Sequence, residues 1–231
     1  HPRPTVTWTL TEIVTQSSNV GTVQLGLKLG QEGVYRSLFD FGLTERTGID
    51  FPGEVRGWLP PVKQWSASSI GNIPFGQGIS MTPLQISRAT GAIANEGIMV
   101  TPHFLLDIPG RPDSSLSWPT QRAISSQTAS AVTQMLQEVV TDGTGGAAAV
   151  PGYSVAGKTG TAQKALPDGK GYAGGKYIGS FIGYLPAEDP QILISVIIDE
   201  PSNAIYGGTV AAPLFSSIGQ FAVSQLNIPP T

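Results

Sequence analysis

Gly152-Tyr-Ser-Val-Ala-Gly157-Lys158-Thr159-Gly160-Thr161 decides how the rest of the chain is read. Its first eight residues match G-x-x-x-x-G-K-[ST], the pattern of a phosphate-cradling P-loop. The run from Ile192 to Asp199-Glu200 even resembles the apolar strand and acidic pair that hold magnesium beside such loops. A P-loop, however, must open a helix, so that the helix N-terminus and its N–H groups face the phosphates. After Thr159 come Gly160, Pro167, Gly169, Gly171, Gly174 and Gly175, which cannot sustain a helix, and no βαβ series follows. The same residues fit a strand. Period-2 alternation then puts the Thr159 and Thr161 hydroxyls on one face, two donors able to grip a carboxylate, with Lys158 on the other. Gly160 between them leaves room for a peptide-like ligand against the backbone. A Lys-Thr-Gly string taken alone is also what an ordinary strand beside a turn contains.

Outward from this stretch, Tyr153 to Thr161, Tyr177 to Leu185 and Ile192 to Asp199 read as strands between Gly/Pro turns. A final helix is expected over Thr209 to Leu226, with Val210, Leu214, Ile218 and Phe221/Ala222 as its core stripe and a kink or frayed turn at Pro213. Upstream, Ser125 or Ser126 caps a helix carrying Val132, Leu136, Val139 and Val140 and ending before Gly143. Thr82-Pro83-Leu84-Gln85 starts another with a capping box, running to about Asn95. Residues 101–120, with Pro at 102, 109, 112 and 119, read as loop. So does Thr44 to Gln77, an ordered loop with Trp58, Trp65 and Phe75 as packing surface. Short helices are expected at Leu10 to Gln16, from Val20 (Val20, Val23, Leu27 and Leu29 forming a loose apolar face), and at Val34 to Phe41. Helices followed by antiparallel strands and a covering helix give an α+β fold.

Composition narrows the function. The 231 residues carry a net charge of −3, against a basic nucleic-acid binder. With no Cys and two His, one of them residue 1, thiol nucleophiles, Cys-based zinc sites and two-His metal motifs are excluded. His103, between Pro102 and Phe104, reads as structural, and Asp199-Glu200 as turn chemistry. The longest apolar stretch, Ile192 to Ile198, is far short of the ~20 residues of a membrane helix.

Ser17-Ser18-Asn19 lies between two short helices and by itself reads as an N-cap cluster. Together with Lys158-Thr159-Gly160-Thr161 it resembles the S-x-N and K-T-G boxes of penicillin-binding proteins and serine β-lactamases. Gln16-Ser-Ser-Asn-Val-Gly21, Phe75-Gly-Gln-Gly-Ile-Ser-Met-Thr-Pro-Leu-Gln85, Val155-Ala-Gly-Lys-Thr-Gly-Thr161, Tyr177-Ile-Gly-Ser-Phe-Ile-Gly183 and Ala212-Pro213 follow the family's blocks in order. The chain is thus similar to the C-terminal part of a class B penicillin-binding protein, a monofunctional peptidoglycan D,D-transpeptidase.

The resemblance implies a penicillin-binding-protein-like fold, with a helical subdomain at about 5–145 and the sheet with its final helix at about 150–226. It implies no metal and no cofactor. Ser17 would relay a proton toward the leaving amine, Asn19 would bind the substrate's amide carbonyl, and Lys158 would keep the field positive and orient Ser17. Thr159 and Thr161 would hold the terminal carboxylate of a stem peptide or a β-lactam, with Gly160 giving access. The Thr161 N–H would form half of an oxyanion hole.

One departure is large. The residues three before Lys28, Lys63, Lys158, Lys164, Lys170 and Lys176 are Leu, Pro, Val, Thr, Pro and Ala, so the S-x-x-K nucleophile box does not occur. The chain opens at His1-Pro-Arg-Pro4 without Met. The expectation is that the nucleophile, the first strands and a membrane anchor lie upstream. The parent would act with the cell-wall synthesis machinery on the extracytoplasmic face of the bacterial membrane. The alternative is a non-catalytic ligand-binding or sensor module on the same scaffold.

Overall fold

The structure, a computed structural model, describes residues 6–66, 68–109, 117–166 and 171–231. The His1–Pro4 opening, part of the 101–120 loop with Pro112, and the Pro167–Gly169 turn lie outside the described residues. Three antiparallel strands, β3 (Ala156–Ala165), β4 (Tyr172–Leu185) and β5 (Ile192–Asp199), form a sheet in the order β3-β4-β5. The register pairs Lys158 with Ile182, Thr159 with Phe181, Gly160 with Ser180, and Phe181 in turn with Val196. Antiparallel partners share a face, so the sheet has two distinct sides.

One side carries Phe181, Ile194 and Val196. It buries them with Leu185 against Ala211, Ala212, Phe215 and Val223 of the C-terminal helices. Phe181 and Phe215 meet edge to face, with ring centroids 4.7 Å apart. On the opposite side Ala156 and Tyr184 pack with Leu136 of helix α4 (Ser126–Thr141), and the Tyr184 hydroxyl meets Thr133 Oγ1 at 2.7 Å. Helix α3 (Pro83–Ala94) lies on this side too, its Ser87 hydroxyl 2.6 Å from that of Ser195. Short α1 (Leu10–Thr15) packs on α4, and α2 (Asn19–Asp40) packs on a separate cluster of Val34, Trp65, Ile70 and Ile73.

The capping boxes form as their chemistry requires. Thr82 Oγ1 accepts from Gln85 N, and the Gln85 side chain answers to Thr82 N. Buried Gln85 also donates to the Leu43 and Glu45 carbonyls, tying α3 to the long loop. Ser125 caps α4. Several expectations are corrected. The helices expected from Val20 and from Val34 are one element, Asn19–Asp40, interrupted only at Gly30, whose φ of 72° and ψ of 168° are non-helical. Val20, Leu27 and Leu29 are exposed, because the narrow Gly26 rather than these side chains meets Pro74.

The final helix divides into α5 (Gly207–Val210) and α6 (Ala212–Gln225). Pro213 lies in the first turn of α6, where its missing N–H costs nothing. The buried stripe is Ala212, Phe215, Gly219 and Val223; Leu214, Ile218 and Phe221 face outward. Both stripes have helical spacing, and Phe181 selects the one that offers it a ring and small neighbours. Two short strands within or beside the expected loop also pair, β1 (Ile98–Val100) with β2 (Thr120–Arg122). Trp65 is buried as expected, but Trp58 is 58% exposed. Strands β3 and β4 run past the expected limits into a longer hairpin, since their glycines interrupt helices but not an antiparallel ladder.

Phe181 lies directly under the start of β3. A Cβ on Gly157 would fall 2.6 Å from its ring, and one on Gly145 3.0 Å. Truncation there removes the largest aromatic support of the strand bearing Lys158. Phe181→Ala is expected to lower unfolding free energy by about 3–5 kcal/mol, read as a shifted midpoint in chemical denaturation. A loss below about 1 kcal/mol would show that the strand does not rest on this ring.

Candidate functional site

Ser17-Ser18-Asn19 is a back-to-back capping joint between α1 and α2. Ser17 N donates to the Val14 carbonyl at 3.1 Å and Ser18 N to the Ile13 carbonyl at 2.9 Å. This is the Schellman closure of a helix C-terminus, whose left-handed residue is usually glycine. Here it is Ser17, with φ of 53°. An L-residue in this region carries strain, so its occupation by a hydroxyl-bearing side chain points to use of that hydroxyl. Ser18 Oγ then accepts from Gly21 N at 3.1 Å and starts α2, leaving Asn19 as its first residue. The two helices meet closely enough that a Cβ on Gly21 would fall 2.6 Å from Ile13 Cγ1. Ser17 and Asn19 are exposed at the joint.

Lys158 stands on β3, shares a face with Ile182 and lies mostly buried. No carboxylate pairs with it among the described residues. Its Nζ instead donates to the carbonyl and the Oγ1 of Thr159, both at 3.3 Å. Burial without a counter-charge pushes its pKa from 10.5 down to about 8. Across the strand, the Thr159 hydroxyl meets that of Thr144 at 2.9 Å, and Thr161 Oγ1 accepts from Gly207 N at 3.2 Å. Gly160 makes room first for its cross-strand partner: a Cβ there would fall 2.4 Å from Ser180 Oγ. Gly207 is held as closely, its absent Cβ 2.1 Å from the Ser180 carbonyl oxygen.

Lys158, expected to orient Ser17, makes no direct hydrogen bond with it. Lys158 turns back to Thr159, the nearest oxygens its burial leaves it. The two motifs are joined through residues the sequence reading passed over. Thr144 N donates to the Thr15 carbonyl at 3.3 Å, two residues before Ser17, while its hydroxyl reaches Thr159. Gly143 permits this approach, since a Cβ there would fall 2.4 Å from the Thr15 carbonyl oxygen. The available signal was Asp142-Gly143-Thr144-Gly145 itself, a small-residue turn between a helix and the Lys158 strand. With Lys158 on a strand, the P-loop reading fails. His103 is structural as expected, stacked on Trp118 with ring centroids 4.3 Å apart. Asp199 and Glu200 bind Lys164 at 2.9 and 2.7 Å, holding the end of the hairpin.

The arrangement offers a mostly buried cation and two threonine hydroxyls on one strand, tied through Thr144 and Thr15 to the joint that carries a strained serine, a set suited to a carboxylate-bearing, peptide-like ligand. Residues 2–220 match the family model described as penicillin binding protein transpeptidase domain. The chain is 41% identical, over 96% of its length, to penicillin-binding protein PbpB of Mycobacterium tuberculosis, and covers 34% of that protein. It is 39% identical to stage V sporulation protein D of Bacillus subtilis, covering 96% of this chain and 35% of that one. The chain thus spans about a third of the length of these curated relatives. Among solved structures, penicillin binding protein 3 of Mycobacterium tuberculosis complexed with ampicillin superposes with a TM-score of 0.86 at 39% identity, covering 97% of this chain and 52% of that chain. A putative peptidoglycan glycosyltransferase from Atopobium parvulum gives a TM-score of 0.88 at 37% identity, over 95% of this chain and 51% of that one.

The strain at Ser17 is directly testable. Ser17→Gly is expected to raise unfolding free energy by about 1 kcal/mol, because glycine enters the left-handed region without the Cβ penalty. Ser17→Ala, which keeps the Cβ, should change it by less than about 0.5 kcal/mol. Equal stability of the two variants in thermal melts would remove the argument that this position is held strained for its hydroxyl.

Proposed function

Because the chain belongs to the penicillin-binding protein transpeptidase family, we propose that it forms two walls of a peptidoglycan D,D-transpeptidase site whose third wall carries the nucleophilic serine. The S-x-x-K box is not among these 231 residues, and we assign it to a segment of the same protein outside them. The reading rests above all on Lys158, a mostly but not fully buried ammonium with no acidic partner among the described residues, beside a threonine hydroxyl on an edge strand. A site that leaves a cation unpaired and accessible is built to receive an anion.

In the reaction, the serine hydroxyl of that segment attacks the peptide carbonyl before the terminal residue of a stem peptide. The carbonyl oxygen takes the developing charge, with the Thr161 N–H as one donor of the oxyanion hole. The C–N bond breaks as the proton shed by the attacking hydroxyl passes by way of Ser17 to the leaving amine. Asn19 holds the substrate's amide carbonyl, and Thr159 and Thr161 hold the terminal carboxylate beside Lys158. The amine of a second stem peptide then attacks the acyl-enzyme, displacing the serine and closing the cross-link. A β-lactam enters the same steps through its strained amide and its carboxylate.

The same reading places the protein at the cell wall, anchored on the extracytoplasmic side of the membrane with the synthesis machinery. The outer edge of β5 has no strand neighbour among the described residues. We assign its completion to strands of the outside segment, which leaves the isolated chain open to edge-to-edge association. The absence of S-x-x-K also favours a second reading, a non-catalytic module that binds carboxylate ligands without acylation.

Fluorescent penicillin separates the two. The 231-residue chain alone is expected to remain unlabelled, and the chain joined to its serine-bearing segment is expected to form a stoichiometric, hydroxylamine-sensitive adduct. A stable adduct on the isolated chain would show that the nucleophile is misassigned. Failure of the joined protein to be labelled would favour the binding module.

A further inference from the structure

We infer that Thr144 is a positioning residue for carboxylate recognition, acting through the Thr159 hydroxyl. The inference rests on the transpeptidase reading above and adds to it a residue that lies in neither box.

Thr144 is fixed from three directions. Its N–H donates to the Thr15 carbonyl at 3.3 Å, and its hydroxyl lies 2.9 Å from Thr159 Oγ1. Its own carbonyl abuts Gly208, where a Cβ would fall 2.4 Å from the oxygen. Rigid backbone on both sides of the residue leaves one freedom that matters, the direction of its hydroxyl proton.

That direction decides what Thr159 can do. A threonine hydroxyl has one proton to give and two lone pairs to receive. Lys158 Nζ, 3.3 Å away, can only donate while charged, and occupies one lone pair. A ligand carboxylate can only accept, so Thr159 has to give it the single proton. The remaining lone pair then wants a donor, and Thr144 is the group in place to supply one. With Thr144 donating, the chain Thr144 to Thr159 to carboxylate runs in one direction, and each bond polarises the next. With Thr144 accepting, Thr159 spends its proton inside the protein and meets the carboxylate with lone pairs. Thr144 therefore selects the donor state of Thr159 without touching the ligand. Its link to Thr15 also sets the spacing between β3 and the joint that carries Ser17.

The test uses the joined protein, with acylation by benzylpenicillin compared with acylation by its methyl ester, which lacks the carboxylate. Thr144→Val keeps the shape and the N–H but removes the hydroxyl. It is expected to slow second-order acylation by benzylpenicillin about tenfold, equal to ~1.4 kcal/mol, and to leave the ester rate within about twofold. Thr144→Ser should restore the benzylpenicillin rate. In a Thr159→Val background, Thr144→Val should have no further effect, because the group it orients is gone. Equal loss on both compounds, or additive loss in the double variant, would reduce Thr144 to a structural role and overturn the inference. An unaltered benzylpenicillin rate in Thr144→Val, in an enzyme slowed by Thr159→Val, would overturn the inference and leave the transpeptidase reading standing. A joined protein that benzylpenicillin does not acylate would overturn both.

Discussion

Lys158 is a charge kept mostly out of water, with no acidic partner among the described residues. Taking an ammonium out of water without a partner is costly, and the depressed pKa is the record of that cost. Everything around the residue serves to hold it there. Tyr184 and Phe181 anchor the neighbouring strand from opposite faces, and Gly157 and Gly160 let β3 lie flat against the Phe181 ring and Ser180. The glycines at 207 and 208 bring α5 onto the strand edge, where Gly207 N fixes Thr161. A carboxylate arriving between Thr159 and Thr161 would supply that charge, so the cost of burying Lys158 and the anion binding proposed above would share one origin.

The second constraint is distance. Ser17 and Lys158 stand 141 positions apart in sequence, one just past the end of α1 and the other on β3. Helix α4 connects them, with α1 on one side of it and β3 on the other, and its C-terminal turn closes the link through Gly143 and Thr144. That turn has little room for variation, since a side chain at Gly143 would collide with the Thr15 backbone. The joint is set by backbone contacts, which are stiff, and the hydroxyls ride on it.

Much of this was legible in the sequence because it depends on local chemistry. The Thr82 and Ser125 caps, the three strands and the placing of Lys158 on a strand follow from residue types at fixed spacing. What was not legible depends on choices among equivalent patterns. Helix α6 is apolar on two faces, and only the Phe181 ring decides that Phe215 turns inward while Phe221 turns out. The β1–β2 pair is too short to show alternation. The Ser17 strain is invisible in a string of capping residues, because Ser18 and Ser17 have equal claims until the backbone angle distinguishes them. Thr144 was missed since its hydroxyl and N–H act on residues far away in sequence.

Lys158 is a mostly buried cation with no acidic partner among the described residues, and its titration tests this most directly. In protein labelled with carbon-13 at lysine Cε, the resonance lost in Lys158→Met is expected to titrate near pH 8, where burial places it. Because its folded pKa lies below the unfolded value of 10.5, the unfolded chain binds more protons between the two. The penalty is fully present below about pH 8 and is relieved as pH rises toward 10.5, so stability should climb across that window. Lys158→Met should abolish the climb and add about 3 kcal/mol at neutral pH. A Lys158 resonance that titrates near 10.5, its unfolded value, with no change in the pH dependence of unfolding, would contradict this.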